Sequence, residues 1–194
     1  MKIIQIKQVG QLFQIVFDDG QKFLVSASLV LDYGLTVNKL FEQDIFSEFE
    51  IAALIDKNYL SCLNLINYRQ RTTKEIKTYL AKFNLDQSII ESIIKKLKQN
   101  NFLNDNRFIE AFINDSLNLN LRSIKMIKLN LLKKGFKKAD IDAVLVNYSD
   151  EEVLKKLILK KQKISSYKNS QKLINYLINR GFDYQQVKSV LANQ

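Results

Sequence analysis

Arg69 and Arg71, two residues apart in NYRQRTTKE, have a type and spacing that suggest chemistry. A guanidinium is planar, permanently charged and rich in donors, so it grips a phosphate or a carboxylate bidentately. The chain has only five arginines, and four stand at or near expected helix ends: Arg69 and Arg71 ahead of TTKE, Arg122 ahead of SIKMIK, and Arg180 ahead of Gly181. Each either holds an external anion or pins a carboxylate inside a helix bundle; Arg107 and Arg180 are assigned to the second use. Lys74 follows the arginine turn, Lys125 and Lys128 lie one turn apart on one helix, and Lys133, Lys134, Lys137 and Lys138 surround a Gly-Phe corner. Arg69, Arg71, Lys74, Arg122, Lys125, Lys128, Lys133 and Lys134 are therefore the candidate contacts to a polyanion or an acidic protein surface. Contacts of this kind read charge without reading bases, so nucleic-acid binding through them is salt-dependent and sequence-independent.

Catalytic chemistry leaves no comparable trace. Histidine is absent, neither GxxxxGK nor GxGxxG occurs, and there are only five glycines. Cys62, the single cysteine, sits in the apolar run YLSCLNLI and reads as a small buried hydrophobe. Without a second thiol or a histidine it can form neither an internal disulfide nor a Cys/His metal site. The carboxylate groups Asp18/Asp19, Asp140/Asp142 and Asp150/Glu151/Glu152 read as a hairpin turn and as helix-start charges. No catalytic residue, metal ligand or cofactor is assigned. Tyr68, Tyr79, Phe83, Tyr148, Tyr167, Tyr176 and Tyr184 are interleaved with basic residues. At helical spacing beside leucines they read first as core, with base stacking the alternative.

The elements that position these groups follow from composition and pattern. The 194 residues are 46% hydrophobic, contain no proline and carry a net charge of +10, a composition that permits long helices. Charge is uneven: residues 1–56 hold 4 Lys/Arg against 8 Asp/Glu, and residues 57–194 hold 26 against 12. The second stretch is a basic body that attracts polyanions, although lysine is also an ordinary solvent-facing helix residue. The opening residues alternate too early for a signal peptide, and no apolar run spans a bilayer, so a cytoplasmic protein without membrane contact is expected. KIIQIKQ, QLFQIVFDD and the run after Asp-Gly predict a hairpin or three-stranded meander over residues 2–25. Ser26 or Ser28 then caps a short helix ended by Gly34, and Thr36 offers a further cap.

Beyond this extension the chain repeats. LLKKGFKKADIDAVL, Leu131 to Leu145, returns as LINRGFDYQQVKSVL, Leu177 to Leu191, and LAKFNLDQSIIESII, Leu80 to Ile94, aligns with both. Counting from the corner residues Asn84, Gly135 and Gly181, position minus eight is Ile76, Ile127 and Leu173, and minus four is Leu80, Leu131 and Leu177. Plus six is Ile90, Ile141 and Val187; plus ten is Ile94, Leu145 and Leu191. Such stripes are what two helices facing each other across a short turn must bury. Asn and Gly tolerate the left-handed conformation at a helix end, with Leu85, Phe136 and Phe182 folding back on the last turn. Thr72 with Glu75 has capping-box spacing, and Asp105, Ser123, Asp150 and Ser170 are expected to open or cap later helices. The expected fold is mainly all-α, three tandem three-helix repeats in an elongated curved array behind a small strand-containing extension. The boundaries expected are 1–47 for the extension and 48–101, 102–147 and 148–194 for the repeats.

NYRQRTTKEIKTYLAKF, LKQNNFLNDNRFIEAF, IKLNLLKKGFKKADIDAVL and LINYLINRGFDYQQVKSVL resemble, in order, successive segments of the RecX family of recombination regulators. The similarity covers nearly all of residues 57–194, and FLNDNRFIEAF is its most specific piece. The resemblance implies three three-helix units and a monomer without cofactor. It also implies binding in the groove of the filament that RecA forms on single-stranded DNA, contact with single- or double-stranded DNA, and inhibition of RecA ATPase, strand exchange and coprotease activity. Matching positions are the basic turn Tyr68 to Thr72, the signature Leu103, Asn104, Asp105, Arg107 and Phe108, and the corners Lys134-Gly135-Phe136 and Arg180-Gly181-Phe182. Leu103, Phe108, Phe136 and Phe182 are read as setting helix angles. This chain departs from the family pattern with Thr73 for serine, Asn84 for glycine, and Leu121 in place of a glycine-rich lead into the Arg122 helix. The alternative is a general, sequence-independent DNA-binding helical protein.

Overall fold

A computed structural model describes the chain apart from residues 168–169 and 193–194 and the side chains of Ser166 and Ser170. The cap expected at Ser170 lies outside the described residues. The described protein is mainly helical, with one small antiparallel sheet at its N-terminus. Strands β1 (Ile3–Val9), β2 (Leu12–Phe17) and β3 (Lys22–Ser26) form the meander β1-β2-β3. Asp18 and Asp19 act at the second turn: Asp18 accepts from the Lys2 N–H and Asp19 from the Gln21 N–H, each at 3.0 Å.

The sheet buries Ile3, Ile15, Phe17 and Val25 against Phe41, Phe46 and Phe49. Ring pairs such as Phe17–Phe46, 4.9 Å between centroids and nearly edge-on, fill this core in the geometry aromatic quadrupoles favour. Helix α1 (Ala27–Asp32) is capped by Ser26, whose hydroxyl accepts from the Leu29 N–H at 3.3 Å. Thr36, expected to cap a helix, caps none. Residues 36–39 turn instead, with Asn38 at φ 71° and the Lys39 N–H donating to the Thr36 carbonyl, while the chain hydrogen-bonds back to the start of β1. Pairing with that strand satisfies the backbone groups that a helix would have used.

Helix α2 (Gln43–Tyr68) is 26 residues long and serves two cores. Its first half places Phe46, Phe49 and Ala53 on the sheet; its second places Tyr59 and Cys62 against α3 (Thr73–Leu80) and α4 (Gln87–Gln99), with Ile76, Leu80, Ile93 and Leu97. Between them lies Asp56, 2% exposed, whose carboxylate accepts from the Ser26 N–H at 2.7 Å and its hydroxyl at 2.9 Å. A buried carboxylate is tolerated when its lone pairs are used in this way.

The remaining helices are α5 (Asp105–Asn118), α6 (Ile124–Lys133), α7 (Lys138–Leu145), α8 (Glu151–Gln162), α9 (Ser170–Asn179) and α10 (Tyr184–Ala192). The chain forms two compact units, residues 1–103 and 104–194. In the second, α5–α7 and α8–α10 share one continuous core, from Ile109 and Ile127 through Leu154 to Leu177 and Val187.

The repeated corners are alike in geometry. Asn84, Gly135 and Gly181 have φ of 49°, 90° and 88°, all left-handed. At the two glycines the next residue's N–H reaches back to the helix, Phe136 to Leu131 at 3.3 Å and Phe182 to Leu177 at 3.2 Å. These are the bonds that satisfy orphan carbonyls at a helix end. Every position of the repeated stripe is buried except Leu191, which is half-buried. The end of α4 repeats the device with Asn101, φ 57°.

Candidate functional site

At the basic turn the two arginines are already engaged. Thr72 and Glu75 form a reciprocal capping box: the Thr72 hydroxyl accepts from the Glu75 N–H at 3.1 Å and the Glu75 carboxylate from the Thr72 N–H at 2.9 Å. The same carboxylate pairs with Arg69 at 2.7 Å, and Arg69 also donates to the Gln70 carbonyl at 2.9 Å. Arg71 donates through Nε to the Leu65 carbonyl, an acceptor near the C-terminal end of α2, at 3.3 Å. Both arginines thus tie the end of α2 to the start of α3, and Lys74 stands exposed beside them.

The lysines of α6 divide similarly. Lys128 pairs with Asp142 of α7. Lys134 lies over the Phe108 and Phe112 rings, 5.6 Å from each centroid, and Lys125 and Lys133 are exposed. Phe108 and Phe136 pack 5.5 Å apart in the second unit's core, and Leu103 is buried with the α2–α4 core. Helix α5 is capped by Asn104, whose side-chain oxygen accepts from the Arg107 N–H at 3.0 Å; Asp105, expected to do this, is one residue inside the helix. Asp150 precedes α8 but its side chain does not cap it: the carboxylate accepts from the Ile124 N–H at 2.7 Å and the Gln186 amide at 2.8 Å. It therefore joins the starts of α6 and α10 to its own helix.

Neither Arg107 nor Arg180 pins a carboxylate among the described residues. Arg107 is exposed, and Arg180 donates to the Asn120 carbonyl at 3.3 Å while its guanidinium lies 5.4 Å from the centre of the Tyr176 ring. Its own carbonyl accepts from the Ser123 hydroxyl, the cap of α6, at 3.1 Å. Leu121 adopts φ 48°, so the left-handed lead into Arg122 is kept without glycine. Its side chain packs on the core, which offsets the roughly 1–3 kcal/mol that such a conformation costs a non-glycine residue.

Arg122, with Arg180, borders a cleft of about 780 Å³ between the α5–α6 loop, α6, α8 and the end of α9. Lys160 and Lys161 line it too, with Tyr176 and the exposed Leu119, and no carboxylate does among the described residues. Lys161 Nζ is 4.6 Å from the Tyr176 centroid. Sequence reasoning passed over Lys160, Lys161 and the role of Tyr176. The Lys-Lys pair in the last turn of α8 was the only signal, because the partners come from three segments spread over about sixty residues.

Cys62 is fully buried and its thiol is pushed up to about 11 by burial, so it stays protonated and unreactive. Among the described residues no three His, Cys, Asp or Glu side chains gather as metal ligands, and no helix is long and apolar enough to cross a membrane.

Two family models match, that of the first three-helix domain of RecX over residues 59–97 and that of the third over residues 149–191. Proteins called regulatory protein RecX from Streptococcus agalactiae and Streptococcus thermophilus are 29% and 30% identical to it, covering 100% and 98% of this chain and 77% and 76% of their own. A crystal structure of a regulatory protein RecX superposes with a TM-score of 0.76 over 98% of both chains at 23% identity, a likeness of fold. That of RecX from Lactobacillus salivarius gives 0.65 at 29% identity, over 72% of this chain and 95% of its own. With the first and third three-helix domains matched in order, and with 98% of its length covered by a relative 30% identical to it, this chain belongs to the RecX family of regulatory proteins.

Proposed function

We propose that this protein binds the RecA–DNA filament as a monomer and inhibits RecA, lowering its ATPase, strand exchange and coprotease activity, without catalysis of its own. The observation that carries the reading is family membership over the whole chain, extending through the strand-containing N-terminus. The charge distribution supports a polyanionic partner: residues 104–194 hold 17 Lys/Arg against 9 Asp/Glu, and residues 1–103 hold 13 against 11. The sites proposed for contact with RecA or DNA are Lys74, Lys125 and Lys133, with Arg122 and whatever donors Arg69, Arg71, Lys128 and Lys134 keep free. The setting proposed is DNA repair and the SOS response in the cytoplasm.

The test is addition to preassembled filaments of the cognate RecA. Near-stoichiometric protein should lower DNA-dependent ATP hydrolysis and strand exchange, with no hydrolysis or DNA cleavage when RecA is omitted. An agent that only competes for free DNA acts before assembly and spares formed filaments. That second outcome favours a general nucleic-acid-binding protein, the reading for which the basic second unit also speaks.

A further inference from the structure

We propose that the cleft bordered by Arg122, Lys160, Lys161 and Arg180 is where the chain holds a nucleic-acid strand, gripping the phosphodiester backbone without reading base identity. The inference rests on the DNA-contacting part of the reading above and locates that contact away from the turn at Arg69 and the ridge of α6. Its ground is charge left without a partner. Elsewhere the candidate cations are either paired, as Arg69 with Glu75 and Lys128 with Asp142, or spread on open surface, as Lys74, Lys125 and Lys133. In the cleft, four cations have no carboxylate lining it with them among the described residues, and two are held against one ring, Lys161 at 4.6 Å and Arg180 at 5.4 Å from the Tyr176 centroid. Like charges gathered in this way repel, and an entering anion relieves the repulsion.

The shape and lining indicate which anion. A cleft of about 780 Å³ is within the range that admits a nucleotide-sized unit. Such a unit brings a charged linkage and a flat apolar base together, matching cations beside Leu119, which is 77% exposed. An acidic peptide brings the charge without the apolar plane. Tyr176 itself is not free to stack: Lys161 and Arg180 lie against it and the Tyr167 ring is 5.3 Å away. Recognition therefore stays with the backbone and is indifferent to sequence.

The experiment is fluorescence anisotropy of a labelled oligothymidylate with the full chain and no recombinase, so its result is independent of RecA inhibition. Lys160→Gln with Lys161→Gln should weaken binding by about tenfold or more and flatten the salt slope by about 1.4, the loss of two single-strand phosphate contacts. Lys137→Gln with Lys138→Gln, both exposed, removes equal charge from the start of α7 and should cost less than about threefold on the same scale. Lys160→Arg with Lys161→Arg should bind as wild type. Arg122→Gln provides a second variant should the first pair lose its fold, and is expected to weaken binding likewise. Equal losses from the cleft and α7 pairs overturn the proposal, as does unchanged binding in the cleft variants. Displacement of the oligonucleotide by equimolar free ATP would make this a mononucleotide site, and equal displacement by polyglutamate an acidic-peptide site; either refutes a strand. If RecA inhibition fails while the cleft effect stands, only the regulatory reading falls.

Discussion

Gly181 shows how much one residue can be asked to do. Its φ of +88° strains any side chain, and a Cβ there would meet Met126 Cγ at 2.5 Å and Ser123 Oγ at 2.6 Å. Gly10 has a comparable φ of +64° but nothing within 4 Å. Gly10→Ala should therefore cost about 1 kcal/mol from backbone strain alone, while Gly181→Ala should cost about 2–4 kcal/mol, because the corner must also withdraw from α6. Thermal denaturation of the two variants decides this, and equal melting temperatures would remove the close approach from the account. Cys62 makes a second test. Since its folded pKa is raised above the unfolded 9.0 to about 11, its contribution to stability is complete below pH 9 and is lost as pH rises through 11. At pH 8 a disulfide reagent should react with the native protein only at the rate of unfolding, and Cys62→Ala should remove the reaction. A prompt stoichiometric reaction in native buffer would contradict burial.

Among elements, the junction of α2 and α3 deserves the closest test because its side chains are shared between structure and any partner. Arg69→Glu with Arg71→Glu places two further carboxylates near Glu75 and removes the side-chain donor to the Leu65 carbonyl, so it should destabilise by about 1–2 kcal/mol. Arg69→Gln alone, exposed and neutral, should cost under about 0.5 kcal/mol. Urea midpoints separate the cases, and an unaltered midpoint for the double reversal would show both contacts to be idle. The corner positions and stripes were legible in the sequence, since a left-handed residue followed by an apolar one, with isoleucines and leucines at fixed offsets, is a local requirement repeated three times. Capping was legible where it was local, as at Thr72 and Ser123. Asp150 opens α8 as its position suggests, yet its carboxylate serves the distant Ile124 and Gln186, and the reading failed at Thr36, where pairing with β1 overrode a helix start. The shift from Asp105 to Asn104 is a one-residue ambiguity between two equally competent acceptors. The cleft was not legible because its cations converge only when α8 and α9 pack beside the α5–α6 loop.

For the whole molecule, charge and core follow the same division. The second unit has its own apolar core and holds most of the net positive charge. A fragment of residues 104–194 should fold with a helical circular-dichroism spectrum and retain most of the salt-dependent affinity for single-stranded DNA; residues 1–103 should bind at least about tenfold more weakly at low salt. Comparable affinities of the two fragments would show that the charge division has no functional meaning. The other unit is built on a different plan, in which α2 is a common wall. Its Phe46, Phe49 and Ala53 face the sheet on the same rod that carries Tyr59 and Cys62 to α3 and α4. A gene trimmed to the repeats alone would therefore not release a tidy module. It would strip a large aromatic face bare on a helix whose other end is still committed, and the shortened product should collect in the insoluble fraction. The strand-bearing extension and the first repeat share this one helix and should therefore fold as a pair.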